Sequence, residues 1–273
     1  MAIIKTIDDL EKLKYSCKIL MSCFHHITPL VRAGASCGGL DKFAYDFITS
    51  YDAIPSFLNC DDGGDTPYKY SICVSINEEV AHGIAPMNKI IPNNCILTLD
   101  IGANYKGLFS DSAMTYIVGE VPERIKELVE VAKNSMWEGI KILKTGIKLG
   151  DIGAQIDTFV QKKGFGNVSD LGGHGIGYKM HEPPFVAHQG KAGTGRRLAE
   201  NEVICIEPMI TEGKKEVKFD RSNSDGWTVR TKDSSWVAQF EHQIIITKNG
   251  YEVLTDIPET ELLPLPKNLI KGS

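Results

Sequence analysis

The sequence predicts an α+β fold built in two halves, and three observations carry that reading. Helical periodicity fills the opening stretch to Ser50, short β-branched runs follow from Ser71, and the same order of helices then strands returns after Pro122. At 273 residues the chain can bury a sizeable core, and nothing inside it reads as a linker. One compact domain over residues 1–273 is therefore expected.

Thr6 followed by Asp9 resembles a capping box, and Leu10, Leu13, Cys17, Leu20 and Met21 recur at helical spacing up to about His26. Leu40, Phe43, Ala44 and Phe47 share the inner face of a second helix expected from Gly39 to Ser50. Tyr51 to Tyr70 reads as loop. SICVSI, CILTLDIG and SAMTYIVG read as strands, punctuated by Pro86, Pro92, Gly102 and Gly107. Pro122 opens a long helical pattern (Ile125, Leu128, Val129, Ala132, Met136, Ile140, Leu143) that stops at Gly146. Another helix is expected from Asp151 to Lys163, closed by Gly164. The remainder returns to strands in GGHGIG, VICIEPMI, WTVRT and AQFEHQIIIT, before a proline-rich tail that should wrap the surface.

Hydrophobic residues make up 42% and charged residues 24%, ordinary globular values that support neither disorder nor membrane residence. Thirty basic against 35 acidic residues give a charge of −5, and the lysines are scattered rather than stacked into a stripe that could follow phosphates. Nucleic acid is thus not an expected ligand. The start, MAIIKTIDDLEKLK, has no apolar run fit for a signal peptide, and no stretch of about 18 apolar residues could span a bilayer, so a cytoplasmic setting is expected. Seven cysteines without a CxxC pair fit neither a disulfide framework nor a zinc knuckle. They read mostly as small buried side chains in a reducing compartment.

Asp100 in CILTLDIG and Asp111 in SDSAMTYIVG place carboxylates in apolar runs, where each needs a compensating partner. If ANYKG is a hairpin turn centred between Tyr105 and Lys106, Asp100 lies directly opposite Asp111, with Cβ atoms about 4.5–5.5 Å apart. Like charges that close raise one pKa strongly unless a divalent cation lies between them. The alternative is that one aspartate belongs to the turn end and the other pairs with a lysine. His174 in GGHGIG, Glu207 in CIEPM and Glu241 in QFEHQIII add three more donors in strand patterns. Four carboxylates with one imidazole suit manganese, iron, cobalt or zinc, and carry enough charge for two bridged ions.

His82 and His181 stand beside glycine or proline turns, where a side chain can reach into a cleft. His25, His26 and His188 read as structural, and strand alternation turns His242 away from the face of Glu241. GGHGIG lacks the G-x-G-x-x-G spacing because Tyr178 stands where the last glycine belongs, and no G-K-[ST] follows. No G-x-S-x-G elbow or catalytic-thiol signature is present, so a side-chain nucleophile has no support.

The ordered set HG (82–83), DIG (100–102), Asp111, GHGIG (173–177), HEPP (181–184), IEPM (206–209) and EH (241–242) resembles the type I methionine aminopeptidases over nearly the whole chain. The resemblance implies the pita-bread fold, with two pseudo-symmetric halves around a dinuclear metal site. It implies removal of the N-terminal methionine from nascent peptides by attack of a metal-activated water on the first peptide bond. Asp100, Asp111, His174, Glu207 and Glu241 match the family's ligands for two divalent ions, with Asp111 and Glu241 bridging. His82 and His181 match the histidines that contact substrate or its transition state, and Glu207 also matches the general base.

In place of the family's Tyr-x-Gly-Phe/Tyr-Pro stretch, this chain reads DTPYKYSIC from Asp65 to Cys73, so strict methionine preference is not carried over. Tyr68, Cys73, Met180 and Trp227 are the expected pocket residues. A monomer is expected, with a transient ribosome contact where nascent chains emerge. A Xaa-Pro aminopeptidase shares the fold and ligands, but usually carries an additional N-terminal domain, whereas the first helix here leads straight into the catalytic pattern. A pita-bread protein turned binding module loses ligands, and all five are present in this sequence.

Overall fold

Capping chemistry sets where the first helices begin. In the computed structural model, which describes residues 2–61, 66–219 and 225–269, Thr6 Oγ1 accepts the backbone N–H of Asp9 at 3.0 Å and opens α1 (Ile7–Ile27). The Asp9 carboxylate accepts a hydrogen bond from Tyr178 Oη at 2.8 Å, tying this helix to the far half of the chain. Helix α2 (Cys37–Thr49) starts before the expected Gly39 because the cap is Ser36, whose Oγ accepts the Gly39 N–H at 3.3 Å.

Strands β1 (Ile54–Pro55), β2 (Ile72–Ile76), β3 (Glu79–Ala81), β4 (Cys95–Tyr105) and β5 (Leu108–Val118) follow. β4 is the spine of an antiparallel sheet: β5 lines one edge, and β1 and β2 share the other. Leu97, Leu99 and Ile101 of β4 and Ile72 and Val74 of β2 face α1 and α2, packing with Ile19, Leu20, Phe24, Phe47 and Ile48. Alternation then turns Cys73, Thr98 and Asp100 to the opposite face, toward the second half.

The β4–β5 register differs from the expected one. The loop is the two-residue turn Lys106-Gly107, both at positive φ (50° and 86°), so Tyr105 pairs with Leu108, Asp100 with Ala113, and Asp111 with Gly102. Two left-handed residues make the tight turn that matches strand twist, and this outweighs the longer loop the sequence suggested. A shift of two preserves side-chain parity, so Asp100 and Asp111 still share one face as diagonal rather than direct neighbours.

The second half repeats the plan. α3 (Glu123–Ile140) and α4 (Leu149–Lys162) precede β6 (Gly166–Asn167), β7 (Gly173–Gly175), β8 (Glu182–Val186), β9 (Val203–Ile206) and β10 (Met209–Thr211). Then come β11 (Val217–Phe219), β12 (Val229–Thr231), β13 (Val237–Gln239), β14 (His242–Ile246) and β15 (Tyr251–Val253). The helical pattern after Pro122 ends at Ile140, earlier than Gly146 suggested. Gly146 N–H is taken by Leu198 O at 2.9 Å, and Leu198 N–H by Ile147 O at 2.8 Å, so bonds to a distant segment of the same chain stand where further helix was expected.

Five strands lie in the order β15-β14-β9-β7-β8, and a second sheet runs β13-β10-β6. Ile204, Ile206, Ile210, Ala238 and Ile244 meet α3 and α4 in a second apolar core. A third sheet, β11-β12-β3, joins the halves through β3. The tail lies along the first helices, where Leu263 N–H donates to Ser22 Oγ at 2.8 Å and Leu262, Leu263, Leu265 and Leu269 pack on the core. No described helix is long and apolar enough to cross a membrane.

In β7 a Cβ on Gly173 would fall 2.1 Å from the carbonyl oxygen of Cys205, which is sheet backbone and cannot swing aside. Gly173→Ala is accordingly expected to destabilise the protein by about 1–3 kcal/mol, the usual range for overpacking. The check is a urea titration, in which an unchanged midpoint would contradict the close approach.

Candidate metal centre and substrate cavity

Five donors come from five separate places in the chain. Asp100 and Asp111 lie in β4 and β5, and His174 lies in β7. Glu207 and Glu241, expected within strands, instead stand in the breaks between β9 and β10 and between β13 and β14. Pro208 has no N–H to continue a ladder, and Glu241 N–H leaves its own sheet to bond Ala113 O of β5 at 2.9 Å. Ser112 Oγ donates to Glu241 O at 2.7 Å, and Asp111 N–H donates to Gln243 Oε1 at 3.1 Å. These bonds bring the carboxylates of the two halves together.

Asp111, Glu207 and Glu241 are only 4%, 8% and 2% exposed, which makes their charge costly. Burial pushes Asp100 well above the usual carboxylate range, and the neighbouring Asp111 adds to it. Glu207 and Glu241 are raised by burial and then by Asp111 and Asp100, with Glu207 also acting on Glu241. Asp111 is pushed up to about 8 by burial, despite hydrogen bonds from Asp100 and the Ser112 backbone that oppose the rise. Asp100 Oδ1, Asp111 Oδ1 and Glu241 Oε1 are buried oxygens without a hydrogen-bond partner. Unsatisfied acceptors crowded with like charge fit a divalent cation, because one ion supplies both the missing partner and the missing charge.

His174 is set up as a neutral ligand. Its Nδ1 lies 3.0 Å from Gly175 O, so that nitrogen carries the hydrogen and Nε2 keeps its lone pair. Nε2 stands 3.7 Å from Asp111 Oδ2 and 3.6 Å from Glu207 Oε1. Burial lowers the His174 pKa to about 4, so these approaches are not ion pairs at neutral pH. One donor atom each from Asp111, His174, Cys205 and Glu241 lie within 4.8 Å of one another. Cys205 in this cluster was not expected from the sequence.

Asp100, Asp111, His174 and Glu207 border a cavity of about 320 Å³, with His82, His181, Tyr68, Cys73 and Trp227 also on its walls. The His174 and His181 rings meet edge-on at 4.5 Å. His82 sits at φ 55°, near Trp227, and burial lowers its pKa to about 4, with His181 contributing. Tyr68 turns its hydroxyl to Ile72 O and Gly83 O at 3.0 and 2.9 Å and offers its ring to Trp227 at 5.2 Å. Met180 is packed in the apolar cluster that holds Tyr68 and Cys73, without lining the cavity. Asp65, which opens the departing stretch, lies outside the described residues.

Sequence reasoning missed several supports. His188, read as a bland loop histidine, is buried and accepts the Glu207 N–H on Nε2 at 3.2 Å, while Gln239 Nε2 donates to Glu207 Oε2 at 3.1 Å. Phe57, Cys60, Leu171, Phe185 and Met209 also line the cavity, and scattered apolar residues of this kind carry no motif. His242 turns away as expected, with Nδ1 2.8 Å from Thr255 Oγ1 and its ring against Trp137.

Residues 11–248 match the model of metallopeptidase family M24. A methionine aminopeptidase of Clostridium acetobutylicum is 38% identical, across 93% of this chain and 99% of its own length. The crystal structure of the methionine aminopeptidase of Thermotoga maritima superposes with a TM-score of 0.89 at 38% identity, covering 94% of this chain and all of that one. A Xaa-Pro dipeptidase from Bacillus anthracis reaches a TM-score of 0.71 at 25% identity, over 94% of this chain and 63% of that protein. The shared fold is the pita-bread architecture that the ordered motifs implied. The chain belongs to metallopeptidase family M24, among its methionine aminopeptidases.

Proposed function

We propose that this metallopeptidase removes the N-terminal methionine from peptides and newly made proteins, with Asp100, Asp111, His174, Glu207 and Glu241 holding two divalent cations (cobalt, manganese, iron or zinc). The observation that carries the reading is the convergence of buried, like-charged carboxylates with orphaned oxygens beside a histidine whose Nε2 is available. Residues 1–273 form one catalytic domain in this reading, acting as a monomer in the cytoplasm and meeting ribosomes transiently.

Bound cations supply Lewis-acid chemistry, acidifying a water and polarising the scissile carbonyl. The remaining work falls to side chains. Tyr68, Cys73 and Trp227 receive the methionine side chain, and Met180 backs Tyr68 and Cys73 with a pliable thioether. Glu207, oriented by Gln239 and by His188 behind its backbone, takes a proton from the water and passes it to the leaving amine. His181 donates a hydrogen bond to the carbonyl oxygen as negative charge grows there, and His82, neutral at pH 7, contacts the leaving amide.

A Met-Ala-Ser peptide should be cleaved and an Ala-Pro peptide left intact, with cleavage lost on chelation and restored by divalent metal. Preference for Ala-Pro would instead place the chain with the Xaa-Pro enzymes, and cleavage of neither with full metal content would favour a binding module. His82→Ala and His181→Ala should each lower kcat by about 10²–10³-fold, the usual loss for one transition-state hydrogen-bond donor. Metal content measured alongside should be unchanged, and its loss would assign those histidines to the centre instead.

The pH dependence of the metal-free protein has a defined sign. Carboxylates raised by burial keep protons in the folded state that the unfolded chain has released, so stability falls as pH rises from the ordinary carboxylate range through about 8. Histidines lowered by burial, to about 4 at His82 and His174 and about 3 at His188, oppose folding as pH falls below the ordinary imidazole value. Thermal unfolding of metal-free protein should therefore be highest near mildly acidic pH, and added cation should raise Tm more at about pH 8 than at about pH 6. A metal-free Tm that climbs steadily to pH 8 would contradict this.

A further inference from the structure

Strand alternation in β9 sends Ile204 and Ile206 into the core beneath α3 and α4, and Val203 and Cys205 to the other side. Cys205 thus faces away from that core and is fully buried. Its Sγ belongs to the group of four donor atoms within 4.8 Å of one another, with Asp111, His174 and Glu241. Two of those partners, Asp111 and Glu241, present buried oxygens that nothing else satisfies. Sulfur is therefore placed where a cation held by these oxygens would meet it, in a set that is otherwise oxygen and imidazole.

We propose that Cys205 Sγ, as a thiolate whose proton is released to solvent when the ion binds, is a further ligand of the cation held by Asp111, His174 and Glu241, and that it biases this position toward thiophilic ions such as zinc or cobalt over manganese. Soft sulfur selects the later, more polarisable metals, whereas carboxylates alone discriminate less. The inference rests on the metal-centre reading above and adds a donor to it. Cys73 is the control. It pairs with Asp100 across β2 and β4 and lines the cavity, outside the group of four.

Metal-free protein titrated with Co²⁺ under anaerobic conditions distinguishes the two readings. Visible d–d bands report the centre itself, and a near-ultraviolet sulfur-to-cobalt charge-transfer band reports a thiol ligand. The wild type should show both. Cys205→Ser should keep the visible bands and lose the charge-transfer band, and its zinc affinity should fall about tenfold more than its manganese affinity, the lower end of losses seen when a group tuning a metal site is removed. Cys73→Ser should retain the charge-transfer band. Visible bands without charge transfer in the wild type overturn the sulfur ligand while leaving the centre intact, and the wild-type spectrum decides this even if a variant misfolds. A charge-transfer band that survives in Cys205→Ser or vanishes in Cys73→Ser also overturns it. Absence of visible bands removes the centre and this inference together.

Discussion

Mutual repulsion among buried carboxylates is the constraint around which this protein is built. Asp100, Asp111, Glu207 and Glu241 crowd one another beside the cavity, the last three of them buried, and an unpaired ionised carboxylate in such a place is costly. Left alone, the cluster holds protons at a pH where ordinary carboxylates have lost them. A divalent cation would reverse that preference by favouring the ionised forms, so in the proposed reading the same residues are strained acids or ligands according to what lies between them. Stability and chemistry are thus properties of one set of atoms.

The scaffold supplies the force that keeps the set together. Each half has its own helix-covered apolar core, and neither contains all five donors. Backbone and serine hydrogen bonds from β5 reach Glu241 and Gln243, and Thr115 Oγ1 donates to Gln239 O at 2.7 Å. The glutamates stand in strand breaks for a physical reason: a residue outside the ladder can aim its side chain, and its backbone, at a neighbouring sheet. His188 and Gln239 then fix Glu207 from behind.

Much of this was legible in the residue order. Caps, the helical period and β-branched runs located the helices and the longer strands, and carboxylates embedded in apolar runs marked the residues that the fold crowds into one acidic cluster, because burying charge without purpose is rare. The hairpin register was misread because Lys106 adopts a left-handed conformation that no local rule favours for lysine, yet the error of two residues left the shared face unchanged. Short strands such as β6 and β11 exist through tertiary pairing and have no pattern of their own to read. Cys205 and His188 were invisible for a different reason. A buried cysteine or a loop histidine is ordinary in sequence, and only the approach of distant segments gives it a role.

Glu241 is joined through Ser112 to a strand 129 positions earlier. Closing so long a loop is entropically slow, and the reward for closure arrives only when the last donor docks. During synthesis, the first sheet can therefore form while its two aspartates still lack most of their partners. In the two-cation reading, ion capture would come at the end of folding, as a latch on a chain that is already almost complete.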